Sequence, residues 1–110
     1  MQHQFKVTDT FQKDIKWLKK KYPNVLKDLS ETLTIIDNDS NSGDRIEGLN
    51  KLIFRIRIPS RDMNKGKSGG FGTIYYVVTE HKEIILLTIY AKSKQENIMP
   101  SRIEEILKTL

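Results

Sequence analysis

The residues of this chain that could do chemistry are cations that follow one another through its middle. In the segment KLIFRIRIP, Arg55 and Arg57 alternate with apolar residues, which predicts a strand with both guanidinium groups on one face, about 7 Å apart. More cations follow, on a polar connection and after a later apolar run: Arg61, Lys65, Lys67 and Lys92. Clustered cations of this kind are typical of a polyanion-binding surface.

The position of the charge supports this interpretation. The formal net charge is +5, yet residues 1–44 carry seven basic and seven acidic side chains, and residues 68–110 carry five of each. The excess therefore lies in residues 45–67, which hold seven cations against two acids. A charge run often forms only a solvated face. Its confinement to one segment favours a binding site.

The accompanying side chains favour RNA and permit its cleavage without a metal. Tyrosine rings, Tyr75 and Tyr90 among them, can stack on unpaired bases while Arg55 and Arg61 bind phosphates. The sequence contains no cysteine and only two isolated histidines, so no metal centre or other cofactor is expected. A neighbouring 2′-hydroxyl can attack the phosphate while fixed cations stabilise the transition state. Crowded ammonium groups lower one another's pKa, so a lysine could serve as general base.

The segment KGKSGGFG contains Gly-Lys-Ser but does not fit a nucleotide-binding loop. The phosphate loop needs a glycine five residues before Gly66, where this chain has Arg61. The dinucleotide pattern begins at Gly70 and Gly72 but meets Tyr75 at its third glycine. A glycine-rich connection with basic residues is the better interpretation.

Periodicity predicts one α+β domain over residues 1–110. A strand at residues 4–7 precedes a helix capped by Asp9, and Pro23 separates it from a second helix with apolar residues at Leu26, Leu29, Leu33 and Ile36. A period-two strand follows around residues 52–58, and further strands follow at 73–78 and 83–91, the last nearly all apolar as in a central strand covered on both faces. A closing helix follows two capping boxes, Ser93 with Glu96 and Ser101 with Glu104. The expected architecture is two N-terminal helices on a small, mostly antiparallel sheet, with a closing C-terminal helix.

The location of the protein is predicted from what the sequence lacks. No window approaches the roughly 18 uninterrupted apolar residues of a membrane span, and the N-terminal residues MQHQFKV lack the apolar core of a signal peptide. We therefore expect a soluble cytoplasmic protein that does not bind a membrane.

Three segments together resemble the RelE/HigB-type toxins of bacterial type II toxin–antitoxin systems, within the RelE/ParE superfamily. They are GDRIEGLNKLIFRIRI, KGKSGGFGTIYYVV and ILLTIYAKSKQENI, and the resemblance is close over residues 43–98. It implies a compact two-helix-plus-sheet fold and a ribosome-dependent endoribonuclease, or mRNA interferase, that cuts mRNA in the decoding site without metal. It also implies a cognate antitoxin as partner.

The same resemblance assigns roles to individual residues. Active-site residues of the family carry over onto Arg57, Lys65, Lys67 and Lys92, with Tyr90 as a stacking partner. The family usually has an active-site arginine where this chain has Gly72. Either the chain is a natural variant that uses its other cations, or Gly72 is an inactivating substitution that lets a host survive making the protein.

Two further interpretations stay open at this point. A ParE-like toxin of the same fold would poison DNA gyrase without cleaving RNA, and it would not need the Lys/Arg cluster. A plain RNA-binding module would bind with an affinity that falls steeply with salt and would yield no cleaved product.

Overall fold

The computed structural model of the chain describes residues 1–63, 69–95 and 97–110. In chain order these ranges contain β1 (Gln4–Val7), α1 (Asp9–Lys21), α2 (Val25–Asn38), β2 (Asp44–Arg45), β3 (Ile53–Ile58), β4 (Phe71–Val78), a 3₁₀ turn (Thr79–His81), β5 (Glu83–Ala91) and α3 (Pro100–Leu107). The predicted α+β class is confirmed: two N-terminal helices, a mostly antiparallel sheet and a closing helix. The two-residue strand β2 was not predicted.

The five strands form one sheet in the order β1-β5-β4-β3-β2. The β1–β5 pair is parallel, and the other neighbouring pairs are antiparallel. Between β4 and β5 the register shifts after Ile74, so that Leu87 is an extra residue on β5. Such a bulge bends the strand and re-aims the side chains that follow it.

The helices α1 and α2 cover one face of the sheet. Their buried side chains include Phe11, Leu18, Val25, Leu29 and Ile36, and they pack against apolar residues of β3, β4 and β5. Val25 is fully buried whereas Leu26 is 46% exposed, so the predicted apolar stripe of α2 was wrong at its first position.

The opposite face of the sheet is covered by α3. Ile103 and Ile106 of this helix belong to a second apolar cluster with Ile53, Leu87 and Tyr90. Arg57, which alternation places on the same face as Ile53, is exposed. One end of this face therefore presents cations to solvent.

Two helix starts differ from the predicted ones. Thr8, not Asp9, caps α1, because its hydroxyl accepts a hydrogen bond from the Phe11 N–H at 3.0 Å. Helix α3 begins at Pro100, directly after Met99, and Ser101 lies inside it instead of capping it. Proline suits a first helical position because the N–H that it lacks has no helical partner there. The other predicted capping box includes residue 96, which lies outside the described residues.

Within the described ranges, α1, α2 and α3 are all too short or too polar to cross a bilayer.

Candidate functional site

A shallow groove of about 200 Å³ lies where β2, β3 and β4 meet the end of β5. We call it the basic groove. Its lining residues are Asp44, Arg55, Ile56, Arg57, Gly72 and Lys92. Three of the predicted site cations therefore converge on one surface, together with a single carboxylate among the described lining residues.

Strand register brings these residues together. Arg57 on β3 pairs with Gly72 on β4, which in turn pairs with Tyr90 on β5. Lys92 follows β5 directly, and its N–H donates to the Gly70 carbonyl at 3.0 Å. Gly70 has a φ of 90°, and a Cβ there would lie 2.5 Å from the Ile58 carbonyl oxygen. Only glycine allows this close approach, which holds the ends of β3 and β4 together beside Lys92.

The two strand arginines differ in how freely they can bind a ligand. Arg57 is exposed. Arg55 is half-buried, pairs across the strands with Asp44, and donates from Nη1 to the Oδ1 atom of Asn97. The side chain of Arg55 is therefore oriented by a residue between β5 and α3, whereas Arg57 can reach a phosphate without breaking a described bond.

Gly72 lies directly beneath the ring of Tyr90. A Cβ built on Gly72 would come within 2.5 Å of Tyr90 Cζ, 2.6 Å of its hydroxyl oxygen and 2.7 Å of Cε2. Tyr90 is only 6% exposed. Burial raises the pKa of its phenol above the ordinary value of 10.0, and the positive charge of Arg55 partly opposes this rise. In this conformation Tyr90 packs on the sheet, so it presents no open ring face to a base.

Tyr75 was predicted to bind RNA, and its position does not support that role. It is fully buried, its ring stacks on Phe54 with centroids 5.4 Å apart, and its hydroxyl donates to the Ser40 carbonyl at 2.9 Å. The same oxygen accepts the N–H of Gly43 at 3.1 Å. Burial raises the pKa of this phenol. Tyr75 is a core residue that ties the loop after α2 to β4.

Arg61 is likewise held outside the basic groove. Its guanidinium forms ion pairs with Asp28 and Glu31 on α2, and its backbone N–H donates to Asp28 at 3.1 Å. These hydrogen bonds, that to Glu31 first, raise the pKa of Arg61. The predicted contact with RNA is therefore replaced by a link between α2 and the connection after β3.

The two loop lysines lie outside the described residues. Lys65 and Lys67 fall within the segment 64–68, so their predicted roles remain predictions. In the described part of the chain, no three His, Asp or Glu side chains gather as a possible metal site.

Two residues of the site were not predicted. Asp44 was not singled out, because a two-residue strand of aspartate and arginine has no period to detect. Asn97 contacts Arg55 across 42 residues of sequence, and no local pattern marks such a contact. The only available signal was the position of Asp44 in the GDRIE segment that opens the basic region.

Comparison with known proteins identifies the fold. No family model matches the sequence. The chain superimposes on a double mutant of the E. coli toxin RelE in the free state with a TM-score of 0.63 and 14% identity, covering 100% of this chain and 99% of the other. It superimposes on the isolated E. coli RelE toxin with a TM-score of 0.58 and 13% identity, over 98% and 99% of the two chains. The protein has the RelE fold.

The match covers the RelE fold from end to end. The basic groove, the two N-terminal helices and the closing helix all lie within the matched length. At 13–14% identity the likeness concerns the fold, and the chemistry of the groove has to be argued from the residues of this chain.

Proposed function

We propose that this chain is the toxin of a type II toxin–antitoxin pair and acts as a ribosome-dependent endoribonuclease that cleaves mRNA. The observation that carries the proposal is the convergence of Arg55, Arg57 and Lys92 at one groove on a RelE fold. The resemblance of the three segments described above to RelE/HigB-type toxins implies that the substrate is mRNA and that cleavage takes place on the ribosome. Translation stops because the message is cut in the decoding site.

The groove offers the chemistry that RNA cleavage needs. The 2′-oxygen attacks the adjacent phosphorus, the bond from phosphorus to the 5′-oxygen breaks, and the products are a 2′,3′-cyclic phosphate and a 5′-hydroxyl. Arg57 and Arg55 stabilise the negative charge on the phosphoryl oxygens in the transition state. In this scheme Lys92, which lines the groove, donates a proton to the leaving 5′-oxygen.

The base that removes the 2′-hydroxyl proton can come from two places. Among the described lining residues, Asp44 carries the carboxylate that can accept a proton. Lys65 or Lys67, on the segment that follows β3, is the alternative if crowding by neighbouring cations lowers its pKa. No step of this scheme uses a metal ion.

The partner that neutralises the toxin is a cognate antitoxin. The groove is cationic and the chain carries a net charge of +5. An acidic antitoxin segment laid over the groove would match this charge and exclude mRNA from it.

Induced expression in a bacterial host, with mapping of the 5′ ends of cut transcripts, tests the proposal. The unaltered chain should slow growth and produce new 5′ ends within translated regions. Arg57→Ala and Lys92→Ala should each lower cutting at least 10-fold, because the first removes a charge that stabilises the transition state and the second removes the proton donor. Lys27→Ala is the matched control, since Lys27 is an exposed lysine on α2 away from the groove.

Other outcomes separate the remaining interpretations. If growth stops without cut transcripts, and Arg57→Ala and Lys92→Ala remain toxic, the chain is a gyrase-type toxin, and purified gyrase should then accumulate cleaved DNA in its presence. If the chain binds RNA but neither arrests growth nor cuts transcripts, Gly72→Arg separates the two interpretations that remain. Transcripts cut only by Gly72→Arg mean a nuclease inactivated at position 72, and no cut transcripts in either chain mean a binding module.

A further inference from the structure

The contact between Gly72 and Tyr90 is a close cross-strand approach at the basic groove. The two residues are register partners on β4 and β5, and Arg57 is the next residue along the same row on β3. Two ring carbons of Tyr90 and its hydroxyl oxygen lie 2.5–2.7 Å from the point where a Cβ on Gly72 would stand. Real Cβ contacts are not found below 3.0 Å. The observed Tyr90 conformation and any side chain at position 72 therefore exclude each other.

The ring is held in this place by its surroundings. Tyr90 belongs to the apolar cluster that includes Ile53, Ile74 and Ile103. Arg55 lies near enough for its charge to lower the phenol pKa against the larger effect of burial. An aromatic ring laid across a strand glycine also shields the backbone that the glycine leaves uncovered.

The ring also has space into which it can move. Tyr90 borders a second cleft of about 430 Å³, which includes Trp17 and Lys94 among its lining residues. We expect a ring displaced from Gly72 to turn toward this cleft.

We propose that Tyr90 is a positioning residue of the basic groove, where its ring occupies the space that a side chain at position 72 would need. Tyr90 and Lys92 are two residues apart along the end of β5 and therefore project to the same face. The ring thus covers Gly72, the register partner of Arg57, and we expect it to set the spacing between Arg57 and Lys92. The effect of Tyr90 on RNA binding rests on the proposed function. The mutual exclusion of the observed Tyr90 conformation and a side chain at position 72 does not.

Nitration by tetranitromethane, with the modified tyrosines located by mass spectrometry, tests the exclusion. In the unaltered chain Tyr90 should react slowly, because it is buried and its pKa is raised. In Gly72→Ala and Gly72→Arg the ring must leave its place, and nitration of Tyr90 should rise at least 5-fold. Tyr75, fully buried elsewhere, is the internal control and should not change. A folded Gly72→Ala protein with unchanged Tyr90 reactivity overturns the proposal.

A double variant keeps the test decisive if Gly72→Ala folds poorly. Overpacking should lower its melting temperature by about 4 °C or more in the presence of Tyr90. In a Tyr90→Ala background the same change should lower it by no more than about 1 °C, since the ring is gone. Equal losses in both backgrounds would mean that the backbone, not the ring, rejects a side chain, and the proposal would then be wrong.

Binding of a fluorescein-labelled single-stranded RNA tests the positioning role. Tyr90→Phe keeps the ring and should bind within about 2-fold of the unaltered chain, whereas Tyr90→Ala should bind at least 5-fold more weakly at an unchanged fold. Equal binding by Tyr90→Ala and Tyr90→Phe removes the positioning role. If the unaltered chain binds no RNA at all, the proposed function fails, while the nitration result still decides the exclusion.

Discussion

At the scale of single residues, three arginines of one short segment have three different environments. Arg57 is exposed in the basic groove, Arg55 is oriented there by Asn97, and Arg61 is bound by Asp28 and Glu31 of α2. Residue type alone would have given all three the same role. The neighbours that the fold supplies decide which cation is available to a ligand.

Asp44 provides a test of the groove's electrostatics. Its carboxylate lines a surface that we propose binds phosphates, so Asp44→Asn should tighten binding of single-stranded RNA by about 2- to 5-fold at low salt, because a repulsive charge is removed. Fluorescence anisotropy with a labelled oligoribonucleotide measures this. Glu47→Gln makes the same charge change at an exposed position outside the lining and should have a smaller effect. Weaker binding by Asp44→Asn would show that Asp44 supports the site.

The same experiment bears on the choice of base. If Asp44 accepts the 2′-hydroxyl proton, cleavage by Asp44→Asn should fall although RNA binding improves. If Lys65 or Lys67 is the base, the cleavage rate of Asp44→Asn should rise together with its RNA affinity.

At the scale of elements, α1 is fixed to the bulged part of β5 by polar contacts. The Thr8 hydroxyl donates to the Leu87 carbonyl at 2.7 Å. Asp14 accepts from the Thr88 hydroxyl at 2.6 Å and from the Ile89 N–H at 3.1 Å. The pairing of β1 with β5 ends at Leu86, so these side chains satisfy backbone groups of β5 that no neighbouring strand reaches on that side.

Asp14 gives this junction a pH dependence. Burial raises the pKa of its carboxyl above 3.8, while its two hydrogen bonds and the charge of Arg102 oppose the rise. A raised pKa in the folded state means that stability falls as the pH rises from the unfolded value through the folded one, and is constant above it. Asp14→Asn should remove this fall and gain less than about 1 kcal/mol near neutral pH, since the carboxyl is only half-buried and water screens it.

Urea unfolding between pH 3 and pH 7 measures the effect. The difference in the free energy of unfolding between Asp14→Asn and the unaltered chain should increase with pH and then level off. Glu80→Gln, at an exposed position of the 3₁₀ turn, should show no such trend. A loss of stability in Asp14→Asn that grows as the pH rises would mean that the ionised carboxylate is needed for the two hydrogen bonds.

The sequence was sufficient to predict most helices and strands, but not the contacts that join them. Alternation in β3 is a local pattern, and it predicted that Arg55 and Arg57 lie on one face, where both line the basic groove. The α1 cap, the bulge at Leu87 and the partners of Arg61 depend on contacts between distant segments. The Arg61 backbone, for example, meets Asp28 across 33 residues. A single sequence without a structure holds no local sign of such a contact.

At the scale of the whole molecule, the two faces of the sheet differ in what they present: one is apolar, and the other is partly cationic. The face under α1 and α2 buries the larger apolar cluster, whereas the face under α3 is apolar at Ile53 and Ile74 and cationic at Arg57. The alternation in KLIFRIRIP encodes this division directly. The sequence therefore predicted the groove's cations, but not the ring of Tyr90 across Gly72, because cross-strand contacts depend on register.

Because the cations lie together on one face of the sheet, the salt dependence of RNA binding measures how many of them contact phosphates at the same time. Each phosphate contact with a single strand contributes about −0.7 to the slope of log affinity against log salt concentration. Arg55, Arg57 and Lys92 alone predict a slope near −2, and participation of Lys65 and Lys67 predicts about −3.5. We expect the steeper value. Anisotropy titrations from about 50 to 200 mM salt measure it.

Variants identify which cations contribute to the slope of log affinity against log salt concentration. Replacing both Lys65 and Lys67 by alanine should make the slope shallower by about 1.4, and Arg57→Ala should do so by about 0.7. Lys27→Ala, which removes one charge from α2, should weaken binding slightly at low salt and leave the slope unchanged, because long-range attraction is screened whereas direct phosphate contacts release counterions. Equal slopes for Arg57→Ala and Lys27→Ala would mean that RNA responds to net charge alone, and the groove would then lose its role as the binding surface.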